Sequence, residues 1–167
     1  MPEEKNLKSK IDIILITVFI LIILCDQLSK IFIIYNGDKE AISKGNITIS
    51  FNNYKKENEY YKENYVTAVA TDIVVFIIVI KFLKTQKARM DNKVKISLIL
   101  ILAGGIGNFI EKVWNKQEIA FIKIGDLPLL NIAYIFIFIG WIAFAICMAC
   151  DTIKIRKEIK QKAPKND

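Results

Sequence analysis

The chain has 167 residues, 53% of them hydrophobic, and its 24 basic and 17 acidic residues leave a formal net charge of +7. It contains no histidine, which excludes a Ser-His-Asp centre and any histidine-ligated metal, and its three cysteines have neither paired spacing nor a second cluster for zinc. No metal, cofactor or disulfide framework is therefore expected, and because the basic residues flank apolar runs instead of lining a groove between aromatics, no nucleic-acid partner is expected either.

Four apolar blocks can be read along the chain, over residues 11–34, 66–83, 94–113 and 128–150. Each holds about 20 residues, the length that crosses one bilayer. They are apolar all round, so a soluble protein of this size would have no polar helix face left to meet water. The expected fold class is an all-α membrane protein with four transmembrane helices, forming a single membrane domain over residues 1–167.

The first block has a basic start, but its apolar stretch is long and no small-x-small site follows, so it reads as an uncleaved helix. Ile23-Leu24 precede Cys25 where a lipobox needs small residues, so the chain is not expected to be a lipoprotein. Toward its end the block carries Asp26-Gln27-Leu28-Ser29-Lys30, which places a carboxylate and an amine at i and i+4 on one helical face. This pair is either a structural ion pair at the interface or part of a site. Residues 36–64 follow, in which Ile47-Thr48-Ile49-Ser50-Phe51 alternates as a half-buried strand does, so a small extracytoplasmic β element is expected. Tyr54, Tyr60, Tyr61 and Tyr65 suit an interfacial belt or a partner surface.

The second block carries Asp72. The third contains Ala103-Gly104-Gly105 and Gly107, a surface without bulk that lets another helix approach closely, and it ends on Asn108-Phe109-Ile110-Glu111-Lys112. The fourth carries Asn131 near its start and leads into a basic tail, residues 151–167. Asn108 and Asn131 serve equally well as interhelical hydrogen-bond glue or as a site.

Charge sets the orientation, because lysine and arginine near span ends are retained on the cytoplasmic side. Lys81, Lys84, Lys87, Arg89, Lys93 and Lys95 stand against Asp91 alone, the N-terminus adds Lys5, Lys8 and Lys10, and the tail is also basic. Residues 36–64 and 114–127 are balanced. Both termini are therefore expected in the cytoplasm, with some affinity for anionic membrane lipid. At a rise of about 1.5 Å per residue, Asp26 lies roughly 22 Å along the first helix and Asn108 and Glu111 about 20 to 26 Å along the third. Asn131 is expected one turn inside the fourth helix, and Asp72 under two turns inside the second. An ionised group in hydrocarbon costs on the order of 2.5–3.5 kcal/mol, so these five at one outer level suggest a shared polar pocket.

With these motifs the chain resembles the lipoprotein signal peptidases, also called signal peptidase II, along all four spans. The family motif Asp-Gln-x-Ser/Thr-Lys is matched by Asp26 to Lys30, and Gly-Asn-x-x-Asp-Arg appears as Gly107-Asn108-Phe109-Ile110-Glu111-Lys112, with the charge signs kept. The resemblance implies a bacterial cytoplasmic membrane protein with a β-cradle on the outer surface. It also implies Asp26, Lys30, Asn108, Glu111, Lys112 and Asn131 as substrate-binding positions. The family's catalytic aspartates, in Val-Val-Asp-Phe and Asn-x-Ala-Asp contexts, correspond here to Ala120 of Glu118-Ile119-Ala120-Phe121 and to Tyr134 of Asn131-Ile132-Ala133-Tyr134. The family's Asn-x-Gly-Ala-Ala-Phe run is not recognisable after Phe51.

The expectation is thus a noncatalytic relative that binds a lipoprotein signal helix, a lipopeptide or a peptide antibiotic. One alternative is an aspartic endopeptidase, cleaving before a lipid-modified cysteine, that uses a displaced acid pair drawn from Glu118, Asp126, Asp72 and Glu111. Another is an accessory structural membrane subunit whose charged residues only bridge helices.

Overall fold

The computed structural model describes residues 2–37, 39–51, 58–86, 91–116 and 118–162. The elements follow in the order α1 (Pro2–Tyr35), β1 (Ile42–Lys44), β2 (Ile47–Ile49), α2 (Asn58–Gln86), α3 (Asn92–Asn115), β3 (Ile122–Ile124) and α4 (Ile132–Lys162). Expectations for residues 52–57, 87–90 and 163–167, and for the side chains of Tyr60 and Tyr61, fall outside the described residues.

All four helices contain stretches long and apolar enough to cross a membrane, namely Lys10–Tyr35, Tyr65–Thr85, Asn92–Trp114 and Ile132–Lys157. Half of the α3 stretch is buried inside the protein, against 17% or less for the other three, which makes α3 the central helix. The other helices pack on α3, α4 most extensively, and α1 also meets α4. Large side chains such as Ile13, Leu28, Phe32, Ile78, Phe138 and Ile146 face outward, as a bundle surrounded by lipid requires.

The bare surface of α3 explains how three helices can share one neighbour. A Cβ on Gly104 would come within 2.5 Å of the Ala133 carbonyl oxygen of α4, one on Gly105 within 2.8 Å of Phe76 of α2, and one on Gly107 within 2.7 Å of the Asp26 carboxylate of α1. Each glycine therefore admits a different helix. Near the other end of the bundle Val79, Val94, Leu98 and Ile101 form an apolar core, with Phe82, Phe144 and Cys147 against it. All three cysteines are free.

The sheet is antiparallel, in the order β1-β2-β3. β1 and β2 form a hairpin through Gly45-Asn46, with Gly45 at φ 61°, the backbone that a type II′ turn demands of its first central residue. Burial along Ile47 to Phe51 rises toward Ser50 and Phe51 and does not alternate, because Phe51 leaves the sheet to join Ile33, Ile119 and Phe121 in a second apolar cluster. β3 comes from the α3–α4 connection, so the sheet extends beyond the expected residues 36–64 and ties the α1–α2 and α3–α4 connections together. The fourth helix begins at Ile132, not at Pro128, because Leu130 is held extended by a bridge to Ile122.

Candidate functional site

Near the C-terminal end of α1, Asp26 and Lys30 fall one turn apart on the face turned toward α3 and α4. Lys30 Nζ lies 2.6 Å from Asp26 Oδ2, 3.0 Å from Asn108 Oδ1 and 3.1 Å from Glu111 Oε1. An ammonium with three protons thus meets three acceptors. Glu111 Oε1 lies off the direction of a hydrogen bond, so that contact is electrostatic. Asn108 and Glu111 come from α3 at i and i+3, which puts both on the side facing Lys30.

The start of α4 completes the network. Asn131 caps the helix, its Oδ1 accepting from the Tyr134 backbone N–H at 2.9 Å, while its Nδ2 donates to Asn108 Oδ1 at 2.8 Å and to the Ile119 carbonyl at 3.1 Å. Asp26 Oδ1 accepts from the Ala133 N–H at 2.8 Å, so a carboxylate of the first helix sits on the positive end of the last. The Ile119 N–H donates to Glu111 Oε2 at 3.0 Å, which fastens the α3–α4 connection to the same cluster. Asp26, Lys30, Asn108, Glu111 and Asn131 are each 2% exposed or less. Two carboxylates, one ammonium and a helix N-terminus are thus gathered in a closed interface, where each charge is offset by a fixed partner.

A second cluster occupies the α2 side of α3. Lys112 Nζ lies 3.0 Å from Asp72 Oδ2 and 3.8 Å from Glu118 Oε2, and these side chains are 9%, 21% and 16% exposed. Of the residues expected at one level, Asp26, Asn108 and Glu111 meet at Lys30 and Asn131 joins them through Asn108, while Asp72 is directed to Lys112. Asn131 stands at the helix cap and not one turn inside it. Ala120 is buried and Tyr134 lies half-buried in the first turn of α4. Asp126 is exposed in the turn where the Leu127 N–H reaches the Ile124 carbonyl.

Two participants were missed as site residues. Gln27 Nε2 donates to the Gly107 carbonyl at 2.9 Å and to Asp26 Oδ2 at 3.2 Å, joining α1 to α3. The Ile119 peptide serves the network on both its N–H and its carbonyl. Gln27 could have been found from its place between Asp26 and Lys30 opposite the glycines. A backbone group leaves no such mark in a sequence.

A family model described as signal peptidase (SPase) II matches residues 18–150. A lipoprotein signal peptidase of Shouchella clausii (strain KSM-K16) is 39% identical over 66 residues, a stretch that is 39% of this chain and spans only 42% of that protein. Among solved structures, a bacterial membrane enzyme determined by the in meso method at 1.9 Å resolution is similar with a TM-score of 0.62 at 21% identity, covering 80% of this chain and 91% of that one. A second such structure at 2.3 Å resolution gives a TM-score of 0.57 at 21% identity, over 92% and 93% of the two chains. At that identity the likeness concerns the fold.

Proposed function

Because the chain belongs to the signal peptidase II family and is a multi-pass bacterial membrane protein, we propose that it holds a lipoprotein signal helix, a lipopeptide or a peptide antibiotic at its outer polar level without cutting it. The observation that carries this reading is a contrast within one site. The network of Asp26, Lys30, Asn108, Glu111 and Asn131 is complete, while the positions that the resemblance assigns to the catalytic aspartates hold Ala120 and Tyr134.

A two-carboxylate peptidase needs one carboxylate to take a proton from water and a protonated partner to polarise the scissile carbonyl. Alanine supplies no titratable group, and a phenol with a reference pKa near 10 is a poor base at neutral pH. Positioned proton transfer commonly contributes about 10² to 10⁴ in rate, so loss of both groups removes most of the activity. In this reading Asp26, Lys30, Asn108, Glu111 and Asn131 position the helices. Asp72 and Glu118, which flank the buried Lys112, are the part of the level that a ligand reaches, since these two side chains are the partly exposed ones. Both termini lie in the cytoplasm, which the basic flanks of residues 81–95 and of the tail support.

The near-complete burial of the five network residues also favours a second reading, an accessory membrane subunit in which the charges only bridge helices. A displaced acid pair is disfavoured because Asp72 and Glu118 meet at an ammonium and not at each other.

The test offers purified protein in detergent a diacylglyceryl-modified prolipoprotein and follows cleavage by gel shift, with an Ala120→Asp/Tyr134→Asp variant alongside and substrate co-purification as a binding readout. Cleavage by the double variant alone, with substrate bound by both proteins, is the expected result. Cleavage by the unmodified chain overturns the noncatalytic reading, and absence of both cleavage and co-purification overturns the binding reading in favour of the subunit.

A further inference from the structure

At the end of the bundle opposite the polar network, α1 and α2 each rest on α3 and scarcely touch one another. The gap between them is a groove of about 480 Å³ lined by Asp12, Leu15 and Ile16 of α1, Ile80, Leu83 and Lys84 of α2, and Lys95 and Ile99 of α3. Its wall is aliphatic and its charges are three, two ammoniums and one carboxylate. Among the described residues neither Lys84 nor Lys95 has a carboxylate within ion-pair distance, and Asp12 has no cation within that distance. The groove therefore offers an aliphatic slot whose rim charges lack an ion-pair partner among the described residues, at the level where a span ends.

We infer that this groove binds one anionic glycerophospholipid of the phosphatidylglycerol type, with an acyl chain against Leu15, Ile16, Ile80, Leu83 and Ile99 and its phosphate between Lys84 and Lys95. Charge complementarity selects the occupant. The rim carries a net charge of +1, from Lys84 and Lys95 against Asp12. A phosphodiester with a neutral glycerol head carries one negative charge and supplies hydroxyl donors for Asp12. A zwitterionic choline lipid leaves the rim charge uncompensated and has no donor for the carboxylate. An aqueous anion without a chain gains nothing from the aliphatic wall. The bundle has a reason to keep such a lipid, because it fills the space that α1 and α2 leave open against the apolar core around Val79, Val94 and Leu98.

Native mass spectrometry of the full chain, released from detergent with equal amounts of phosphatidylglycerol and phosphatidylcholine of matched chains, tests the proposal. A juxtamembrane lysine is worth roughly fivefold in affinity for an anionic surface, so the expected preference for phosphatidylglycerol is about fivefold or more. It should fall to near unity in Lys84→Gln/Lys95→Gln and persist in Lys154→Gln/Lys157→Gln, which removes the same charge from exposed positions on α4. Ile99→Trp, which fills the groove and keeps every charge, should lose the bound lipid of either kind. Each variant is first required to keep the parent's thermal transition in detergent. An equal loss of preference in both lysine variants would mean general surface electrostatics, and retention of lipid by Ile99→Trp would mean binding elsewhere; either result overturns the proposal, as does the absence of preference in the parent.

Discussion

Glu111 and Lys112 are neighbours in sequence, yet α3 delivers them to two unlike environments. Glu111 enters a closed interface with Asp26 and Lys30, in which no charged side chain is more than 3% exposed. Lys112 turns to α2 and to the α3–α4 connection, where Asp72 and Glu118 remain 21% and 16% exposed. The difference separates holding from meeting. A buried network is costly to break because removing one partner strands another charge, whereas a partly wet pair contributes little to stability and is free to exchange partners.

The largest effect expected from breaking this contrast is on the closed side. Lys30→Met leaves Asp26 and Glu111 facing one another with no cation, and should destabilise the bundle by about 3–5 kcal/mol; equilibrium unfolding in mixed micelles measures it, and a loss below about 1 kcal/mol would mean that the interface is wetter than its burial implies. Gly104→Ala comes next. Its Cβ would press on the Ala133 carbonyl oxygen at 2.5 Å, a backbone atom that cannot rotate away, so overpacking of about 1–3 kcal/mol is expected in the same assay. Asn131→Ala removes the α4 cap and should cost about 1 kcal/mol, with faster hydrogen exchange at the Tyr134 amide as its local mark; an unchanged exchange rate there would refute the capping role. Smallest is Lys112→Met, expected to cost less than about 1 kcal/mol in unfolding. Under the proposed function it should nonetheless weaken co-purification of a prolipoprotein, and a variant that unfolds readily but still binds would reverse the assignment of the two sides.

The spans, their polar residues and the common level of Asp26, Asn108, Glu111 and Asn131 were legible because the bilayer imposes a length and makes each polar residue conspicuous. The glycines of α3 were legible as packing surface, though not that each serves a different helix. Three things were hidden. β3 has an apolar, three-residue signal that only its partner β2 makes into a strand. The α4 boundary moved because the Leu130 bridge, a contact distant from any helix propensity, outweighed the apolar run from Pro128. Asp72 parted from the network because depth along a helix says nothing of the direction in which a side chain points. The β1–β2 hairpin, by contrast, was announced by Gly45-Asn46 between two short strands, a turn signature that could have been read.

The hydrogen bond from Ala133 to Asp26 joins residues 107 positions apart, and this separation bears on how the chain is made. Helices enter the membrane as they are synthesised, N-terminal first, so α1 must carry Asp26 into the bilayer while Glu111, Asn131 and the α4 amide do not yet exist. What travels with it is Lys30, one turn away on the same helix. The pair neutralises itself, and the first helix can wait in lipid without another protein segment to shield it. Lys30 is therefore a companion for insertion before it becomes the hub of a network, and a nascent chain that stops short of Ile132 is left with an aspartate lacking the helix end it was placed to cap.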